Sequence, residues 1–506
     1  MHTFADPLER AIQVAPNKIA IRSGPRSFTY RELHARCGRF PAMLSARAVE
    51  RGDRVAVLAK NGPEYLEAYV GIPAAGRVIV PLNTRHAEPE LAYALKDSGT
   101  KLLITDREPG GLRGAVSDVL QLGEAYEQAL AAVETPVSHL GEGVTEDSLA
   151  GLFYTGGTTG ASKGVMLTHR NLIANTISWG MTVPQTPDDN YLVMAPLFHA
   201  AGSNGVLATM WTAGTFVPLP AFDPATALDL IEEHQVTQTL AVPAMLAAVT
   251  ELQLTQPRNV ESLKVIAHGG SPIATEVLRR AHRAFPTAQL VELYGATETS
   301  PLSVALPGEE KLLDSDKLRA TGLPIVGCQL RIVDPQGHEV PRNTVGEVLV
   351  KGNNVMRGYW NKPEQTAAVL SEAGYRSGDL GYMDEEGYIY LVDRAKDMIV
   401  SGGENVYCTE VEEALYKHEA VLEAAVFGVP DDKWGEAVWA TVVLREEHGG
   451  TEASSLIEFC RERIAGYKVP KGIDFRTEPL PKSGPGKVLK RQLRAPYWEG
   501  RERAVN

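Results

Sequence analysis

Short apolar runs alternate with amphipathic segments over the first two thirds of the chain. The amphipathic segments have helical spacing, as at residues 225–234 and 275–284. The apolar runs have the length of buried strands and lie at residues 54–58, 78–82, 101–105, 149–155, 191–195, 237–242, 264–268 and 289–293. Because the two kinds of segment alternate, the pattern predicts parallel sheets covered by helices.

The pattern changes near Leu323. Two strand-like runs at 330–340 and 344–352 are joined by turns at Asp334–Gly337 and Pro341–Asn343, which predicts a small antiparallel unit. The residues after Arg394 read as a mixed unit, with helical spacing at 410–418 and 454–464 and strand spacing at 424–429 and 438–444. The polar junction at 393–396 between these parts has the composition of a hinge.

Composition and charge narrow the class of protein. The 506 residues are 44% hydrophobic and 22% charged, which excludes a disordered or collagen-like chain. A net charge of −13 argues against binding to nucleic acid, although it leaves room for a local phosphate pocket. No run reaches the roughly 18 apolar residues of a membrane span, so we expect no integral membrane segment and leave peripheral membrane contact open.

The cysteines and the first residues indicate a compartment. The four cysteines lie far apart in sequence, without the spacing of a zinc site or of a disulfide framework. The chain starts MHTFADPLER, which lacks the apolar core of a secretion signal. We therefore expect reduced thiols and a cytoplasmic location. The oligomeric state stays open, with a dimer as one option.

A glycine-rich loop carries the first sign of chemistry. Residues 154–164 read YTGGTTGASKG and follow an apolar run. Glycines let backbone N–H groups approach an anion, hydroxyls add donors, and Lys163 adds positive charge. The spacing is not that of a Walker A loop, because Ser162 precedes the lysine and Gly164 follows it. The loop is typical of a phosphate-binding loop, with a flexible surface loop as the alternative.

This loop resembles the phosphate-loop signature of the adenylate-forming superfamily, whose usual form is YTSGTTGxPKG. Gly156 and Ser162 stand here for the usual serine and proline. Further motifs of the superfamily follow in order: LYGATETS at 293–300, YRSGDLG at 375–381, DRAKDMIVSGGENVYCTEVE at 393–412 and PKSGPGKVLK at 481–490. The chain is thereby similar to the acyl-CoA synthetases that activate fatty or aryl acids.

The resemblance implies an α/β fold in two domains. The N-terminal domain, residues 1–393, would hold parallel sheets flanked by helices and a small β-barrel-like subdomain at about 323–393. The C-terminal domain, residues 394–506, would be a smaller, mobile α+β unit, with Lys396 at the hinge position.

The resemblance also assigns the nucleotide site. Tyr294 would offer an aromatic face to adenine, Gly295 would adjoin it, and Thr297 would donate to the α-phosphate. Glu298 would be a catalytic ligand of Mg²⁺, since magnesium prefers oxygen ligands, and Thr155 would be a second ligand. The phosphates of ATP would contact Thr155, Gly156, Gly157, Thr158, Thr159 and Lys163.

The later motifs supply the remaining contacts of the two reaction steps. Asp379 would accept the ribose hydroxyls, and Arg394 would donate to ribose or phosphate oxygens. Lys487 would be the catalytic lysine that bridges the carboxylate and the α-phosphate. Gly403 would leave space for the pantetheine arm of CoA. Cys408 replaces the proline that is usual in the motif VYPxEVE, and we do not expect it to be catalytic.

The acyl side is defined by two segments, PLFHAAGSNG at 196–205 and AHGGSPI at 267–273. By resemblance, His199 would lie near the substrate carboxyl as a catalytic residue, and Gly269 would line both the acyl and the adenine sites. The alternative for His199 is a neutral histidine packed beside an aromatic ring. Neither segment has a cation apart from histidine, which disfavours a dicarboxylate, and small residues dominate both.

These features together predict an AMP-forming acyl-CoA synthetase. It would use ATP, Mg²⁺ and CoA to convert a carboxylic acid, of medium- or long-chain fatty or of aryl type, into its CoA thioester. The alternative is an adenylation enzyme that delivers the acyl group to a carrier protein. An amino-acid substrate is disfavoured, because residues 196–206 contain no acidic side chain to pair with an amino group.

Overall fold

The computed structural model describes residues 3–137, 139–155, 162–271, 273, 275–394, 396–402, 404–431, 433–482 and 488–499, apart from the side chain of Ser203. The chain divides into two compact units. The first comprises Met1–Leu330 and Val350–Tyr375, and the second comprises Arg331–Leu349 and Arg376–Asn506. The domain boundary between residues 393 and 394 stays a prediction.

A nine-stranded sheet forms the larger part of the first unit. Its six central strands are parallel, and antiparallel strands extend it at both edges. In spatial order the strands are Leu323–Pro324, Val304–Pro307, Gln289–Tyr294, Val265–Gly269, Gln238–Ala241, Asn190–Val193, Thr215–Pro218, Ile19–Ser23 and Arg26–Thr29. The parallel centre agrees with the predicted strand–helix alternation.

A seven-stranded sheet forms the rest of the first unit. Five strands run parallel, and two antiparallel strands complete one edge. In spatial order they are Gly358–Tyr359, Lys163–Thr168, Leu149–Thr155, Val78–Pro81, Arg54–Leu58, Leu102–Thr105 and Asp118–Gln121. The strand Leu149–Thr155 leads directly into the glycine-rich loop.

Helices follow most of the parallel strands, as the alternation predicts. Helix Pro224–His234 shows why one begins where it does: Pro224 takes the first turn, and the Asp223 carboxylate accepts the N–H of Thr226 at 2.8 Å. The other helices of this unit are Ala5–Val14, Tyr30–Cys37, Phe40–Ala46, Pro63–Ala74, Glu88–Ser98, Glu124–Ala131, His169–Thr182, Ala201–Trp211, Pro243–Thr255, Thr275–Ala284 and Pro363–Ala367. Short 3₁₀ turns lie at Gly110–Ala115, Thr297–Thr299, Glu309–Lys311 and Asp316–Arg319.

Apolar burial holds the helices on the nine-stranded sheet. Leu228, Leu246 and Leu278 from three successive helices pack in one buried cluster with Ile266 and Leu290 of the central strands. Each such side chain contributes about 1.5–3 kcal/mol when fully buried. The cluster therefore fixes the two strands whose ends carry the motifs at 267–273 and 293–300.

A five-stranded sheet contains the predicted antiparallel region. Its strands are Cys328–Val333, Gly346–Gly352, Gly374–Met383, Leu370–Ser371 and Ile389–Arg394. The predicted turns are present, since the Gly337 N–H donates to the Asp334 carbonyl and the Thr344 N–H to the Pro341 carbonyl.

A mixed sheet with three helices lies in the second unit. The long hairpin of Val421–Asp431 and Gly435–Leu444 is antiparallel, and Gly472–Arg476 pairs with it in parallel. The remaining elements are the strands Ile399–Ser401 and Glu404–Val406, the helices Cys408–Tyr416, Ala453–Arg461 and Lys490–Arg494, and the 3₁₀ turns Glu446–His448 and Ala495–Trp498. The mixed α+β character agrees with the prediction.

A helix that crosses a membrane must be both long and apolar. None of the helices in the described part of the chain combines the length and the apolar character that a membrane span requires.

Candidate active site

The carboxyl ends of adjacent parallel strands bring three of the predicted segments together. Strands Asn190–Val193, Gln238–Ala241, Val265–Gly269 and Gln289–Tyr294 are neighbours in that order. The segments at 196–205, 267–273 and 293–300 leave three of these ends. Ligands of open α/β sheets bind in the crevice outside the carboxyl ends of the strands. The topology therefore places the predicted acyl and adenine segments side by side.

Two predicted site glycines lie where the backbone is tightly packed. A Cβ at Gly269 would collide with the Leu293 carbonyl oxygen, and a Cβ at Gly295 would collide with that of Pro301. Glycine is therefore required at both positions by the packing of the strand ends, whatever ligand they line.

Tyr294 is half-buried at the end of its strand. Thr297 opens the 3₁₀ turn that also carries Glu298.

His199 lies in the segment that follows strand Asn190–Val193. Its ring packs against Phe198 with centroids 4.8 Å apart. Burial, with smaller contributions from Arg85 and His86, lowers the pKa of His199 to about 4, so the imidazole is neutral near pH 7. Its buried Nε2 has no hydrogen-bond partner among the described residues. The ring thus packs against an aromatic side chain, as expected for a neutral packed histidine. Its Nε2 is at the same time a polar atom without a partner among the described residues.

Asn61 fixes the segment that leads to His199, and no local sequence pattern indicated it. Its buried Nδ2 donates to the carbonyl oxygens of Val193 and Ala195, each at 3.1 Å. Its Oδ1 accepts the N–H of Leu197 at 3.0 Å. Asn61 follows strand Arg54–Leu58 of the seven-stranded sheet. This side chain therefore ties together the carboxyl ends of strands from both large sheets.

The base of the glycine-rich loop is formed by two predicted phosphate contacts. Thr155 and Lys163 lie opposite each other at the ends of two antiparallel strands. The Ser162 hydroxyl, at the position of the usual proline, donates to the Thr155 carbonyl. Four predicted contacts of the loop lie outside the described residues, and these are Gly156, Gly157, Thr158 and Thr159.

Glu298 is joined to the glycine-rich loop through Tyr359. The Tyr359 hydroxyl donates to Glu298 Oε1 at 2.8 Å. The Lys163 ammonium lies 4.7 Å from the centroid of the same ring. Within the described residues there is no cluster of three or more histidine, cysteine or acidic side chains that could hold a metal by itself. A single carboxylate suits Mg²⁺ that arrives on ATP, because magnesium typically takes one or two carboxylates together with substrate phosphates.

A cluster of ionisable groups involves both motif strands, with His268 on Val265–Gly269 and Glu292 on Gln289–Tyr294. His268 Nε2 and Glu309 Oε2 are 2.5 Å apart, and both side chains are fully buried. Glu292 is the cross-strand neighbour of His268. Burial, and then the charge of Glu309, raises the pKa of Glu292 well above its ordinary value. The sequence did not indicate this cluster, since its three residues lie in separate segments and only the fold brings them together.

Asp379 and Arg394 form an ion pair in the second unit. Arg394 Nε lies 3.0 Å from Asp379 Oδ1, and the two residues are register partners on adjacent strands. Gly378 has a φ of +73°, and its N–H donates to Glu347 Oε1 at 3.0 Å. The turn thus presents the carboxylate of Asp379 beside the guanidinium of Arg394. The structure brings together the two residues predicted to contact the ribose.

The predicted hinge begins with a buried carboxylate. Asp393 Oδ2 accepts the N–H of Cys408 at 2.6 Å, and Oδ1 accepts the N–H of Arg394. Burial raises the pKa of Asp393. Proline, the usual residue at position 408, has no N–H to donate, so Cys408 makes a bond that the usual residue could not make. Burial, followed by the charge of Arg394, lowers the pKa of Lys396.

The described residues on either side of the predicted catalytic lysine pair with each other. Lys482 and Val488 form an antiparallel bridge, and the Leu489 N–H donates to the Pro481 carbonyl at 2.8 Å. Lys487 lies outside the described residues, and so does Gly403. Two residues after this bridge, Lys490 Nζ lies 2.7 Å from Glu412 Oε1 on helix Cys408–Tyr416.

Comparison with known proteins agrees with this arrangement. The family model of the AMP-binding enzyme matches residues 8–360, and that of the AMP-binding enzyme C-terminal domain matches residues 410–487. A feruloyl-CoA synthase of an Amycolatopsis species is 39% identical over 490 residues, which cover 96% of this chain and 97% of that protein. A long-chain-fatty-acid–CoA ligase of Bacillus subtilis is 35% identical over 520 residues, with 94% and 91% covered.

A solved structure gives the same result for the fold. The o-succinylbenzoate coenzyme A synthetase of Bacillus subtilis, in complex with ATP and magnesium, matches with a TM-score of 0.86 and 32% identity over 96% of this chain and 99% of that chain. Sequence and fold thus agree over nearly the whole length, and the chain belongs to the AMP-binding enzyme family of the adenylate-forming superfamily, where it is an AMP-forming acid–thiol ligase of the acyl-CoA synthetase branch.

Proposed function

We propose that this ligase activates an apolar carboxylic acid, either an aryl acid of the cinnamic or benzoic type or a medium- to long-chain fatty acid. The carboxylate oxygen attacks the α-phosphorus of ATP, and pyrophosphate leaves. The CoA thiolate then attacks the acyl carbon, and AMP leaves. The adenylate step converts a poor leaving group into a good one.

The observation that carries the proposal is the meeting of the two large sheets at their carboxyl ends. Asn61 ties the end of strand Arg54–Leu58 to the segment that carries His199. Tyr359 contacts both Glu298 and Lys163. These contacts support a single site in which the acid, Mg²⁺ and the phosphates of ATP would be held for transfer of the acid to the α-phosphate.

The residues have separate roles in this proposal. Glu298 holds Mg²⁺ on the phosphates of ATP, and the charge of Lys163 and of Lys487 offsets the negative charge that develops at the α-phosphate. Asp379 and Arg394 bind the ribose. Mg²⁺ supplies Lewis-acid polarisation of the phosphoryl oxygens when it is bound with ATP.

The choice of an apolar acid follows from the acyl segments. His199 is neutral near pH 7 because burial lowers its pKa to about 4, so it offers a hydrogen bond and not a charge. The segments at 196–205 and 267–273 contain no lysine or arginine to pair with a second carboxylate. The aromatic and fatty acids named for the two relatives both meet this condition.

The products distinguish this function from other ATP-dependent activations. We expect AMP and pyrophosphate in equal amounts, with CoA consumed in proportion when the acid is a good one. A panel of acetate, octanoate, palmitate, benzoate, ferulate and malonate should rank ferulate and the longer fatty acids above acetate and malonate. The measurement is pyrophosphate release with and without CoA.

Two outcomes of this panel would contradict the proposal. ADP as the main nucleotide product would exclude the adenylate mechanism. Malonate as the best acid would show that the acyl segments had been misinterpreted. A carrier protein loaded in place of CoA, with CoA left unused, would establish the alternative acceptor.

We expect His199 to contribute to the positioning of the acid and not to the binding of the nucleotide. The substitution His199→Ala removes a neutral hydrogen-bonding group, which is worth about 0.5–1.5 kcal/mol, so we expect adenylate formation to fall about threefold to tenfold. Binding of ATP should be unchanged. Because its pKa is about 4, no titration of His199 should appear in the wild-type rate above pH 5. His139→Ala, at an exposed histidine of the same unit, is the control, and equal kinetics for both variants would leave His199 as a packing residue.

We further propose that the chain works in the cytoplasm, with acid, ATP and CoA as its small-molecule partners. All four cysteines, Cys37, Cys328, Cys408 and Cys460, are buried and unpaired. Free buried thiols suit a reducing compartment.

A further inference from the structure

We propose that Tyr359 is a positioning residue of the adenylation step, which orients the magnesium ligand Glu298 and supports Lys163 of the phosphate loop. This proposal rests on the proposed function, because it takes Glu298 as the carboxylate that meets Mg²⁺ on ATP. Tyr359 lies outside the sequence motifs described above, although the AMP-binding family model covers its position.

The position of the Tyr359 ring is fixed from several sides. Tyr359 is only 5% exposed. Its backbone pairs with Val165 in the strand next to the glycine-rich loop. Its N–H donates to the Thr366 hydroxyl at 2.9 Å. A side chain held in this way has a fixed hydroxyl, which donates to Glu298 Oε1 at 2.8 Å and also has Tyr375 as a hydrogen-bond partner.

The backbone around Tyr359 connects the same two motifs. The N–H of Met356 donates to the carbonyl of Glu298 at 2.8 Å. The N–H of Trp360 donates to the carbonyl of Gly164 at 2.8 Å. Residues 356–360 therefore bridge the turn that carries Glu298 and the strand that begins with Lys163, with Tyr359 between them.

Two physical effects follow for the nucleotide site. Magnesium demands near-ideal octahedral geometry, so a carboxylate whose orientation is fixed by a hydrogen bond binds it with less reorganisation. Outer hydrogen-bond partners of metal ligands are typically worth 10- to 100-fold in metal affinity or activity. The ring face attracts the Lys163 ammonium, 4.7 Å from its centroid, and holds this charge near the phosphates.

Two substitutions separate these effects. Tyr359→Phe removes the hydroxyl and keeps the ring, whereas Tyr359→Leu removes both. We expect Tyr359→Phe to raise the Mg²⁺ concentration needed for half-maximal ATP binding by about tenfold, with ATP binding in the absence of Mg²⁺ unchanged. Tyr359→Leu should in addition weaken ATP binding without Mg²⁺, because Lys163 loses its aromatic support.

The measurement is calorimetric titration of ATP into the full chain at a series of Mg²⁺ concentrations, alongside the rate of adenylate formation. Tyr126→Phe is the matched control, since the Tyr126 hydroxyl also donates to a glutamate, Glu67 Oε2, at 2.8 Å in the same unit. This control should leave the Mg²⁺ requirement at the wild-type value.

A double-variant comparison decides between the proposal and a general loss of structure. In a Glu298→Gln background, Tyr359→Phe should produce no further change in the Mg²⁺ requirement. An unchanged requirement in Tyr359→Phe alone, or an additive effect in the double variant, would overturn the proposal. If Glu298→Gln itself left the Mg²⁺ requirement unaltered, the assignment of Glu298 in the proposed function would be at fault instead.

Discussion

Replacing Lys487 with alanine should lower the rate of adenylate formation by about 10²–10³. The same variant should still convert a supplied acyl-adenylate into the CoA thioester at close to the wild-type rate. The role rests on the motif PKSGPGKVLK, because Lys487 lies outside the described residues. Negative charge accumulates between the attacking carboxylate and the α-phosphate only in the first step, so only that step needs this cation.

The measurement is single-turnover kinetics of each half-reaction, with the acyl-adenylate supplied directly for the second. Lys417→Ala is a suitable control, since Lys417 is an exposed lysine of the same unit that pairs with Glu413 on the helix surface. It should change neither rate appreciably.

A substitution at Gly403 should affect the second half-reaction and leave the first intact. A leucine at this position should fill the space predicted for the pantetheine arm, so Gly403→Leu should make adenylate and stop before the thioester. Circular dichroism is needed first to show that this variant folds. Equal losses in both half-reactions for Lys487→Ala and for Gly403→Leu would argue against two alternating arrangements of the active site.

Much of the fold was accessible from local pattern. Strands Arg54–Leu58 and Leu149–Thr155 and helix Thr275–Ala284 have the predicted bounds. Buried parallel strands have continuous apolar runs, and a surface helix has a one-sided apolar face. Both signals are contained within a single segment, so no knowledge of partners was needed.

Element ends set by distant partners were less accessible. The strand predicted at 424–429 extends over Val421–Asp431, because it pairs along its whole length with Gly435–Leu444. The helix predicted at 410–418 begins instead at Cys408, whose N–H is accepted by Asp393 fifteen residues earlier. Hydrogen bonds of this kind depend on tertiary packing, which local spacing does not encode.

The residues of the candidate site fall into the same two groups, those indicated by local sequence and those indicated only by the fold. Thr155, Glu298 and Asp379 stand in contiguous motifs and could be named before the structure was seen. Asn61 and Tyr359 could not, since each acts on residues far away in sequence and stands in a stretch without a distinctive pattern. Positioning residues are found only when the fold brings their partners to them.

Replacing Lys490 with methionine should destabilise the second unit by about 3–5 kcal/mol, because it leaves the buried carboxylate of Glu412 without its charged partner. The Lys490 and Glu412 side chains are only 17% and 15% exposed, and Nζ lies 2.7 Å from Oε1. Burial by itself would lower the pKa of Lys490, but Glu412 and nearby acidic groups raise it above its ordinary value. The ammonium is therefore retained by its surroundings.

The loss of stability in Lys490→Met should become larger as pH rises. Burial raises the pKa of Glu412 and of Asp393, and Lys490 partly offsets this effect in both. Without Lys490 both pKa values rise further, so the folded state holds more protons than the unfolded state above about pH 4, the range in which free carboxyl groups ionise. Stability then falls as pH rises, and the deficit of Lys490→Met should be larger at pH 8 than at pH 5.

Hydrogen exchange of helix Cys408–Tyr416 in the full chain measures this deficit locally, and urea unfolding measures it overall. Lys417→Met is the matched control on the same helix, because the Lys417–Glu413 pair is 54% and 47% exposed and such pairs contribute only about 0–1 kcal/mol. The double variant Lys490→Met with Glu412→Gln should recover most of the loss, since the amide carries no charge and its oxygen can still accept the Val426 N–H. A deficit equal to that of Lys417→Met, or one that grows as pH falls, would contradict a buried ion pair between Lys490 and Glu412.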